Sequence, residues 1–518
     1  MNPASLLGDA ARRHTAGVAV RCGDLALGYP DLLRLSGTMA RAFEREGASP
    51  GDRVAALFPN CHLYLAAYFA ALTSGVVLVP LNTRLHPHET AAILRHSGAR
   101  LLFGDARLIG PLFETEPGLA GPGAAGRGGE GWALAALAAG DNEPGDAAGA
   151  EAALLYYTSG TTGRPKGVVL TRDNLAAHTA MTVDQLGFDA RDAWLHAAPM
   201  FHLADAWAVW TTTAVGGTHV MLPRFDPAVA MDRIGAHGVT ITNLVPTMLR
   251  SLLAESERRR AALPSLRLLL SGGAPIAPRT VVRIQDCLGC EYAQTYGLTE
   301  TSPFLTFSLL DDDLRRLPPE EQARYRARTG RAVKGIELRV VQPAGADRFA
   351  DVAPDDASVG EVVVRGPTVT PGYWRDEQAT RDAFRGGWFH TGDLGTIDER
   401  GFLNLVDRAK DVVITGGETV YSTEVENVLY EHPAVREAAV FGVPDERWGE
   451  LVRAAVVSDG ARRVTAEELI AFCRAHVAHY KCPRAIDLVE ALPRTGSGKI
   501  DKKALRAPFW RGRDRGIN

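Results

Sequence analysis

The chain has 518 residues, of which 46% are hydrophobic and 23% are charged, and its net charge at pH 7 is −4. This length predicts roughly two to four domains or subdomains, and the near-neutral charge excludes a general attraction to nucleic acid or to anionic membranes. The six cysteines are scattered, which argues against a disulfide scaffold and predicts a cytoplasmic protein in a reducing compartment.

Helix-like and strand-like stretches alternate along the first part of the chain. Leu63–Leu72 has the pattern of a buried helix, Val76–Val79 has that of a buried strand, and Glu89–His96 and Arg100–Phe103 repeat the pair. The uncharged run that includes the first pair is long enough for a membrane span, but Thr73-Ser-Gly75 divides it. We therefore predict parallel sheets covered by helices, and no membrane-spanning segment.

Three further segments have less regular patterns. Residues 116–150 are rich in glycine, alanine and proline, which predicts a mobile surface insertion. The polar segment Asp311–Arg328 also predicts surface. Cys287 and Cys290 form a lone CxxC motif, which we interpret as a helix end that leads into a strand, because no second ligand pair is spaced for zinc.

The pattern restarts after about Asp407, which predicts a separate C-terminal domain of about 110 residues. Within it, Val412–Thr415 predicts a strand and Gly416-Gly417 a turn. Thr423 and Thr465 each precede a glutamate by three residues, a spacing that predicts capping boxes at two helix starts.

The segment Thr158–Gly167 crowds hydroxyls, glycines and a lysine behind an apolar stretch. Glycine lets backbone N–H groups approach an anion, hydroxyls donate further hydrogen bonds, and lysine supplies positive charge. The spacing is not that of a P-loop, so we predict a different phosphate-binding loop; a flexible turn between a strand and a helix is the alternative. The residues expected to face phosphate are Thr158, Ser159, Gly160, Thr161, Thr162, Gly163 and Lys166.

Four other segments place polar groups outside any helical or strand periodicity. Gln294–Glu300 combines an aromatic ring, a glycine, a hydroxyl and a carboxylate, which suits a nucleotide-lining loop with Glu300 on magnesium; an exposed turn is the alternative. Thr391-Gly-Asp393 offers a carboxylate to the hydroxyls of a ribose. Asp407–Asp411 is a charged cluster for which a solvated linker is the alternative, and Pro493–Ile500 is either a plain turn or a mobile arm that carries a lysine.

Taken together, these five segments resemble the adenylate-forming superfamily of acyl-CoA synthetases, luciferase-like enzymes and nonribosomal-peptide adenylation domains. The resemblance covers nearly the whole chain, with the motifs in the family's order and at its usual separations. It implies an α/β fold with a large N-terminal domain of layered sheets and helices, residues 1–406. A hinge at residues 407–410, centred on Lys410, leads to a small mobile α+β domain, residues 411–518.

The chemistry implied by this resemblance has two steps. A carboxylate attacks the α-phosphate of ATP to give an acyl-adenylate and pyrophosphate, and after the small domain rotates a thiol displaces AMP. The resemblance puts Tyr296 on adenine, and Asp393 and Arg408 on the ribose. It assigns catalysis to Lys499, His202, Thr299 and Glu300, and Mg²⁺ to Glu300 and Thr158. Besides the phosphate loop, it assigns ATP to Gly273, Ala274, Thr295, Tyr296, Gly297, Thr299, Asp393, Arg408 and Lys499.

The resemblance also implies an acyl pocket beside Ala198–His202. His202 matches the family's gate histidine, with a buried core histidine as the alternative. Asp205 is either the N-cap of the next helix or a buried acceptor for an amino or hydroxyl group of the acid. The acid is expected to be fatty, medium-chain or aromatic. The implied pocket residues are His202, Asp205, Trp207, Val245, Ser271, Gly272, Gly297 and Thr301.

The acceptor is expected to be CoA, because Gly416-Gly417-Glu418 matches the family's pantetheine-tunnel motif and Lys481 lies in a segment often found near CoA. The alternative acceptors are an acyl-carrier protein and a non-thiol nucleophile, and the oligomeric state is left open between a monomer and a homodimer. Departures from the family pattern are small: Thr295 is often glycine and Ser422 is often proline.

Overall fold

The computed structural model describes residues 2–121, 132–138, 151–158, 165–274, 276–344, 348–460, 462, 464–495 and 500–511. The described residues divide into two compact units. The first unit comprises Met1–Leu338 and Val364–Phe389, and the second comprises Arg339–Val363 and His390–Asn518. The second unit therefore includes the predicted hinge at Lys410, whose role stays a prediction.

The strands are β1 Val18–Cys22, β2 Leu25–Gly28, β3 Arg53–Leu57, β4 Val77–Pro80, β5 Ala99–Gly104, β6 Ala133–Ala136, β7 Ala152–Thr158, β8 Lys166–Thr171, β9 Ala193–His196, β10 Thr218–Met221, β11 Ile241–Asn243, β12 Leu268–Gly272, β13 Glu291–Gly297, β14 Phe304–Phe307, β15 Arg331–Ala332, β16 Glu337–Pro343, β17 Phe349–Asp351, β18 Gly360–Arg365, β19 Phe384–Arg385, β20 Trp388–Ile397, β21 Leu403–Arg408, β22 Val413–Thr415, β23 Glu418–Val420, β24 Val435–Asp445, β25 Gly449–Ser458 and β26 Ala485–Leu488. The α-helices are α1 Leu6–Arg13, α2 Tyr29–Arg45, α3 His62–Ser74, α4 Pro87–Ser97, α5 Ala106–Thr115, α6 Arg172–Gln185, α7 Leu203–Val215, α8 Pro227–His237, α9 Pro246–Arg259, α10 Pro278–Leu288, α11 Asp312–Arg315, α12 Pro319–Ala327, α13 Glu377–Ala383, α14 Ser422–Glu431, α15 Ala466–His476 and α16 Lys502–Arg506.

Two mainly parallel sheets organise the first unit. One sheet runs β15-β14-β13-β12-β11-β9-β10-β1-β2 and the other runs β6-β5-β3-β4-β7-β8. Strands β9 to β13 of the first sheet are parallel neighbours, and so are β5, β3, β4 and β7 of the second. The predicted parallel sheets are confirmed, although antiparallel pairs close their edges.

The arrangement of β9, β11, β12 and β13 determines where the polar segments lie. These strands run parallel, so their carboxyl ends meet at one edge of the sheet. The chain segments that follow each strand contain most of the residues predicted for the acyl pocket and for adenine. Such an edge is the usual binding face of an open α/β sheet.

The helix and strand predicted from the uncharged run are confirmed as α3 and β4, both deeply buried. Of the helices among the described residues, none combines the length and apolar character that a membrane crossing requires. The CxxC interpretation is also confirmed, because α10 ends at Leu288 and β13 begins at Glu291.

Two surface predictions are partly wrong. Inside the predicted insertion, Ala133–Ala136 forms an edge strand whose Leu134 and Ala135 are buried against β5, while residues 122–131 and 139–150 lie outside the described residues. In the segment Asp311–Arg328, Leu314 is buried and the Arg326 guanidinium donates a hydrogen bond to the Tyr292 carbonyl at 3.1 Å. Both segments pack against a strand, a contact that the glycine- and alanine-rich composition of the first and the polar composition of the second do not indicate.

The second unit holds most of a sheet that runs β17-β16-β18-β20-β19, with β21 beside β20. Its other sheet runs β23-β22-β25-β24, with β26 beside β25. The helix start predicted at Thr465 is confirmed, because Thr465 is the N-cap residue of α15 and its side chain accepts from the Glu468 N–H at 3.2 Å. The capping box predicted at Thr423 is wrong. Helix α14 begins at Ser422, two residues before the Glu424 that a cap at Thr423 would place first, and the Ser422 N–H donates to the carboxylate of Asp407.

Candidate functional site

The predicted phosphate loop joins two antiparallel strands. Strand β7 ends at Thr158, β8 begins at Lys166, and the register places these two residues opposite each other. The alternative of a strand-to-helix turn is therefore wrong, because the next helix begins only at Arg172. The loop residues predicted to face phosphate, Ser159, Gly160, Thr161, Thr162 and Gly163, lie outside the described residues.

A tyrosine that the sequence analysis did not single out lies beside two predicted site residues. The Tyr373 hydroxyl donates to Glu300 Oε1 at 3.0 Å, and Lys166 Nζ lies 5.0 Å from the centroid of the Tyr373 ring. Burial raises the pKa of Tyr373, and the negative charge of Glu300 raises it further, so the hydroxyl stays protonated and donates. The proposed magnesium carboxylate and the proposed phosphate lysine therefore lie beside one aromatic ring.

Backbone contacts hold this group in place. The Thr370 N–H donates to the Glu300 carbonyl at 2.7 Å, and the Thr370 hydroxyl donates to the carbonyl of Val169 in β8. The Trp374 N–H donates to the Gly167 carbonyl at 2.7 Å. Thr299, predicted for ATP, begins the 3-10 turn that carries Glu300. The segment from Thr370 to Trp374 thus fixes Glu300 next to the hairpin of β7 and β8.

The ends of β12 and β13 bring together the residues predicted for adenine. Gly272 lies opposite Thr295 in the register, and the Thr295 hydroxyl donates to the Ser271 carbonyl at 3.2 Å. A Cβ at Gly297 would collide with the carbonyl of Pro303, so the chain needs glycine there. Tyr296 is 9% exposed at the same strand end. Gly273 and Ala274 follow directly after β12.

Helix α7 carries the predicted acyl residues. It begins at Leu203 with His202 as its N-cap residue, so the alternative of Asp205 as the N-cap is wrong. Trp207 is fully buried and packs edge-on against Trp194 at 4.7 Å and Phe304 at 5.0 Å between ring centroids. The part-buried His202 packs against the ring of Phe201 at 4.7 Å.

Asp205 ends a fully buried chain of polar groups. Asp205 Oδ2 lies 2.6 Å from His196 Nδ1, His196 Nε2 lies 2.9 Å from His219 Nδ1, and His219 Nε2 lies 3.0 Å from the Thr213 hydroxyl. Burial raises the pKa of Asp205, an effect that the neighbouring His196 opposes, and burial lowers the pKa of His219 well below its ordinary value. No described residue meets the distance and angle of a hydrogen bond to Asp205 Oδ1, although the Trp194 side chain lies close enough to lower the pKa of the carboxyl. The role of Asp205 as an acceptor for the acid stays a prediction.

His178 is a further buried histidine that no sequence pattern indicated, after His196 and His219. Its ring stacks on Phe304 at 5.6 Å and meets the edge of Trp207 at the same distance. Burial lowers its pKa to about 3, and neither ring nitrogen hydrogen-bonds to a described residue. Of the other predicted pocket residues, Val245 is the N-cap residue of α9, and the buried Thr301 donates its hydroxyl to the Pro303 carbonyl at 2.7 Å.

The second unit brings together the two residues predicted for the ribose. Asp393 in β20 lies opposite Arg408 in β21, with 3.1 Å between Asp393 Oδ1 and Arg408 Nε. Asp393 is buried, whereas the Arg408 side chain is 43% exposed. The pair therefore combines a fixed carboxylate with a guanidinium that solvent reaches.

Comparison with known families gives two matches in chain order. Residues 7–374 match the AMP-binding enzyme family, and residues 424–499 match the AMP-binding enzyme C-terminal domain. The chain belongs to the AMP-binding enzyme family. It is 39% identical to a feruloyl-CoA synthase of an Amycolatopsis species, over 96% of this chain and 97% of that protein.

Two further relatives differ in their acceptor. This AMP-binding enzyme is 36% identical to the fatty acid–acyl-carrier-protein ligase ScoC of Streptomyces coeruleorubidus, over 96% of this chain and 95% of the relative. The structure of o-succinylbenzoate CoA synthetase from Bacillus subtilis, in complex with its acyl-adenylate intermediate, superposes with a TM-score of 0.81 at 30% identity, over 97% of each chain.

The predicted hinge of this AMP-binding enzyme is not a solvated linker. Asp407 and Asp411 are 7% and 9% exposed, so that alternative is wrong for both carboxylates, whereas Lys410 is exposed. Lys499 lies outside the described residues. Arg494 and Ile500, which lie before and after it in the chain, form an antiparallel bridge.

The residues predicted for CoA lie on one sheet and the helices beside it. Gly416 and Gly417 form the predicted turn between β22 and β23, with φ of 61° and 85°, and Glu418 is exposed beside them. Trp448 is 42% exposed, and its carbonyl accepts from the Gly416 N–H at 2.7 Å. Lys481 Nζ lies 2.7 Å from Glu424, so its charge is already paired.

A cavity of about 200 Å³ in the first unit lies next to Phe201. Its wall includes Asn60, which donates to the carbonyls of His196 and Ala198 and so fixes the segment before His202. Arg84 and Arg224 also line it, and neither makes an ion pair with another described residue. No sequence pattern had pointed to this cavity.

Proposed function

We propose that this AMP-binding enzyme is an acid–thiol ligase. It activates a carboxylic acid with ATP as an acyl-adenylate and transfers the acyl group to CoA, with AMP and pyrophosphate as products. The observation that carries the proposal is the placement of Glu300 and Lys166 beside Tyr373. An oligophosphate with its metal ion needs a carboxylate and a cation next to each other.

In the first step the carboxylate of the acid attacks the α-phosphorus of ATP and the bond to pyrophosphate breaks. Negative charge accumulates on the α-phosphoryl oxygens, and Lys499 is the cation proposed to stabilise it. Lys166 anchors the leaving pyrophosphate, Tyr296 stacks on adenine, and Asp393 and Arg408 bind the ribose.

The residues fit a magnesium ion. Mg²⁺ usually binds one or two protein carboxylates and takes its remaining oxygen ligands from phosphates and water. Glu300, fixed by Tyr373, supplies such a carboxylate, and the Thr158 hydroxyl is the second proposed ligand. When bound, the ion neutralises charge on the phosphate oxygens.

We further propose that residues 1–406 and 411–518 act as two domains hinged at Lys410. Rotation withdraws Lys499 and brings the turn Gly416-Gly417-Glu418 to the adenylate, so one chain serves both half-reactions. The exposed indole of Trp448 beside that turn offers a stacking surface to CoA.

The cavity lined by Arg84 and Arg224 supports an anionic acceptor. Two guanidinium groups without ion pairs among the described residues attract phosphate, and CoA carries several phosphate groups. A carrier protein presents its phosphopantetheine with a single phosphate. We therefore propose CoA as the acceptor, and the paired Lys481 contributes little to this attraction.

For the acid, we propose an aromatic carboxylate that carries a hydroxyl or amino group. An aromatic cluster lies at α7, where the rings of Trp207, Phe304 and His178 pack against one another. Asp205 Oδ1 is a buried acceptor in the first turn of the same helix. The similarity to a feruloyl-CoA synthase supports an aromatic acid, and the similarity to ScoC makes a fatty acid the alternative.

The acceptor and the acid are tested together. A panel of fatty, aromatic and hydroxyl-bearing aromatic acids is incubated with ATP and Mg²⁺, and AMP is measured with CoA, a pantetheinylated carrier protein, an amine or no acceptor. We expect pyrophosphate release without an acceptor, and turnover only with CoA and a hydroxyl-bearing aromatic acid. Turnover with the carrier protein and not with CoA would show that the carrier protein is the acceptor. The similarity to ScoC favours this alternative.

A further inference from the structure

Ser422 contacts the predicted hinge through both of its donors. Its backbone N–H donates to Asp407 Oδ2, and its hydroxyl donates to Asp407 Oδ1 at 3.0 Å. Ser422 is completely buried and Asp407 is 7% exposed. Asp407 precedes Lys410 and Ser422 follows it, so this contact joins the two sides of the hinge.

Two cations of helix α16 reinforce the contact. Lys502 Nζ lies 2.7 Å from Glu426 Oε1 and donates to the Ser422 hydroxyl at 2.6 Å. Arg506 lies 2.9 Å from Asp411 Oδ1 and donates to the Lys410 carbonyl at 3.0 Å. Helix α16 begins three residues after Lys499. Helix α16, which follows the proposed catalytic lysine in the chain, is therefore bound to the hinge by hydrogen bonds and ion pairs.

Burial gives this cluster a defined geometry. The side chains of Lys502 and Glu426 are 15% and 14% exposed. Burial lowers the pKa of Lys502, but Glu426, Asp407 and Asp411 outweigh it and raise the pKa overall, so the ammonium stays charged. Removing one partner from such a cluster leaves an uncompensated buried charge, which is strongly unfavourable.

We propose that the Ser422–Asp407 contact is a latch across the hinge, and that these two positioning residues set the ratio of the two half-reactions. Rotation about Lys410 moves residues before the hinge relative to residues after it, so it breaks this contact. The latch stabilises the hinge conformation of this structure against the rotated one. The inference rests on the proposed function, because the rotation belongs to it.

The test uses three substitutions of one residue in the full-length chain. Ser422→Pro removes both donors, Ser422→Ala removes only the hydroxyl, and Ser422→Thr keeps both. Proline is tolerated at the first position of a helix, where Ser422 lies. Tyr421, the preceding residue, has the extended backbone that a residue before proline requires, with φ of −80° and ψ of 120°. Asp407→Asn is a second variant that does not depend on the folding of Ser422→Pro.

The rate constants of adenylation, and of thioester formation from a pre-formed acyl-adenylate, are measured in single turnovers. We expect Ser422→Pro and Asp407→Asn to change the ratio of the two by about tenfold, Ser422→Ala to change it less, and Ser422→Thr to match the wild type. A purely structural role would slow both steps by the same factor. That result, or an unchanged ratio, overturns the latch.

Hydrogen exchange at the amides of residues 407–412 separates the latch from the proposed function. We expect about tenfold faster exchange in Ser422→Pro than in Ser422→Thr, whether or not the protein is active. A wild type that performs neither half-reaction refutes the proposed function, and equal exchange rates in the two variants refute the latch.

Discussion

Replacing Tyr373 by phenylalanine tests the observation that connects the proposed metal and phosphate residues. The substitution removes the hydroxyl that donates to Glu300 at 3.0 Å and keeps the ring beside Lys166. A hydrogen bond to a charged group contributes about 1.5 to 3 kcal/mol. Because Tyr373 is only partly buried, water replaces part of the loss. We therefore expect about a tenfold slower adenylation step.

The assay is carboxylate-dependent exchange of pyrophosphate into ATP, measured with saturating acid and varied MgATP. Tyr157→Phe is the matched control. Tyr157 lies in the strand that ends at Thr158, and the substitution removes a hydroxyl that lies 2.8 Å from the exposed His96. We expect the control to keep near-wild-type exchange, and both variants to keep their thermal unfolding midpoints within a few degrees. Wild-type exchange in Tyr373→Phe would refute the role of the Glu300 contact.

Three further predictions concern the buried histidine, the buried carboxylate and the cavity arginines. His178 has an ordinary pKa of 6.5 in the unfolded chain and about 3 in the folded protein, so below pH 6.5 only the unfolded chain gains the proton. As the pH falls from 6.5 towards 3, the free energy of unfolding should decrease by about 1.4 kcal/mol per pH unit through His178, and His178→Phe should remove this contribution. Urea unfolding midpoints of both proteins at several pH values check this, and a difference between them that does not change with pH contradicts it. Asp205→Asn should lower the preference for hydroxyl-bearing over unsubstituted aromatic acids about tenfold in kcat/KM, whereas unchanged selectivity with lower stability would make Asp205 a structural residue only. Arg84→Ala combined with Arg224→Ala should raise KM for CoA about tenfold and leave pyrophosphate exchange unchanged; equal loss in both assays would exclude the cavity as an acceptor site.

The end of β12 could be predicted from the sequence because a local pattern determines it: an apolar run followed by glycines marks Gly272. The segment Gln294–Gly297 was expected to be a loop or an exposed turn, but it lies in strand β13. Parallel pairing then places the two ends together. Asp393 was proposed for the ribose from its own segment, whereas Arg408 entered only through the resemblance; the structure pairs the two, and their ribose role stays a prediction.

Contacts between distant residues account for what was missed. Tyr373 lies 73 residues from Glu300 in the chain, and no local pattern marks their hydrogen bond. Helix α14 begins at Ser422 rather than after Thr423 because a carboxylate 15 residues away binds its first N–H. Strand β6 is hidden in a glycine- and alanine-rich stretch because its partner β5 supplies the pairing and the cover.

The central claim, that one chain catalyses two half-reactions with Lys499 serving only the first, is tested most directly by Lys499→Ala. The account predicts that carboxylate-dependent pyrophosphate exchange falls by two to three orders of magnitude, or about 3 to 4 kcal/mol, while CoA thioester formation from a synthetic acyl-adenylate stays near the wild-type rate. Equal loss of both activities in a folded variant would contradict it.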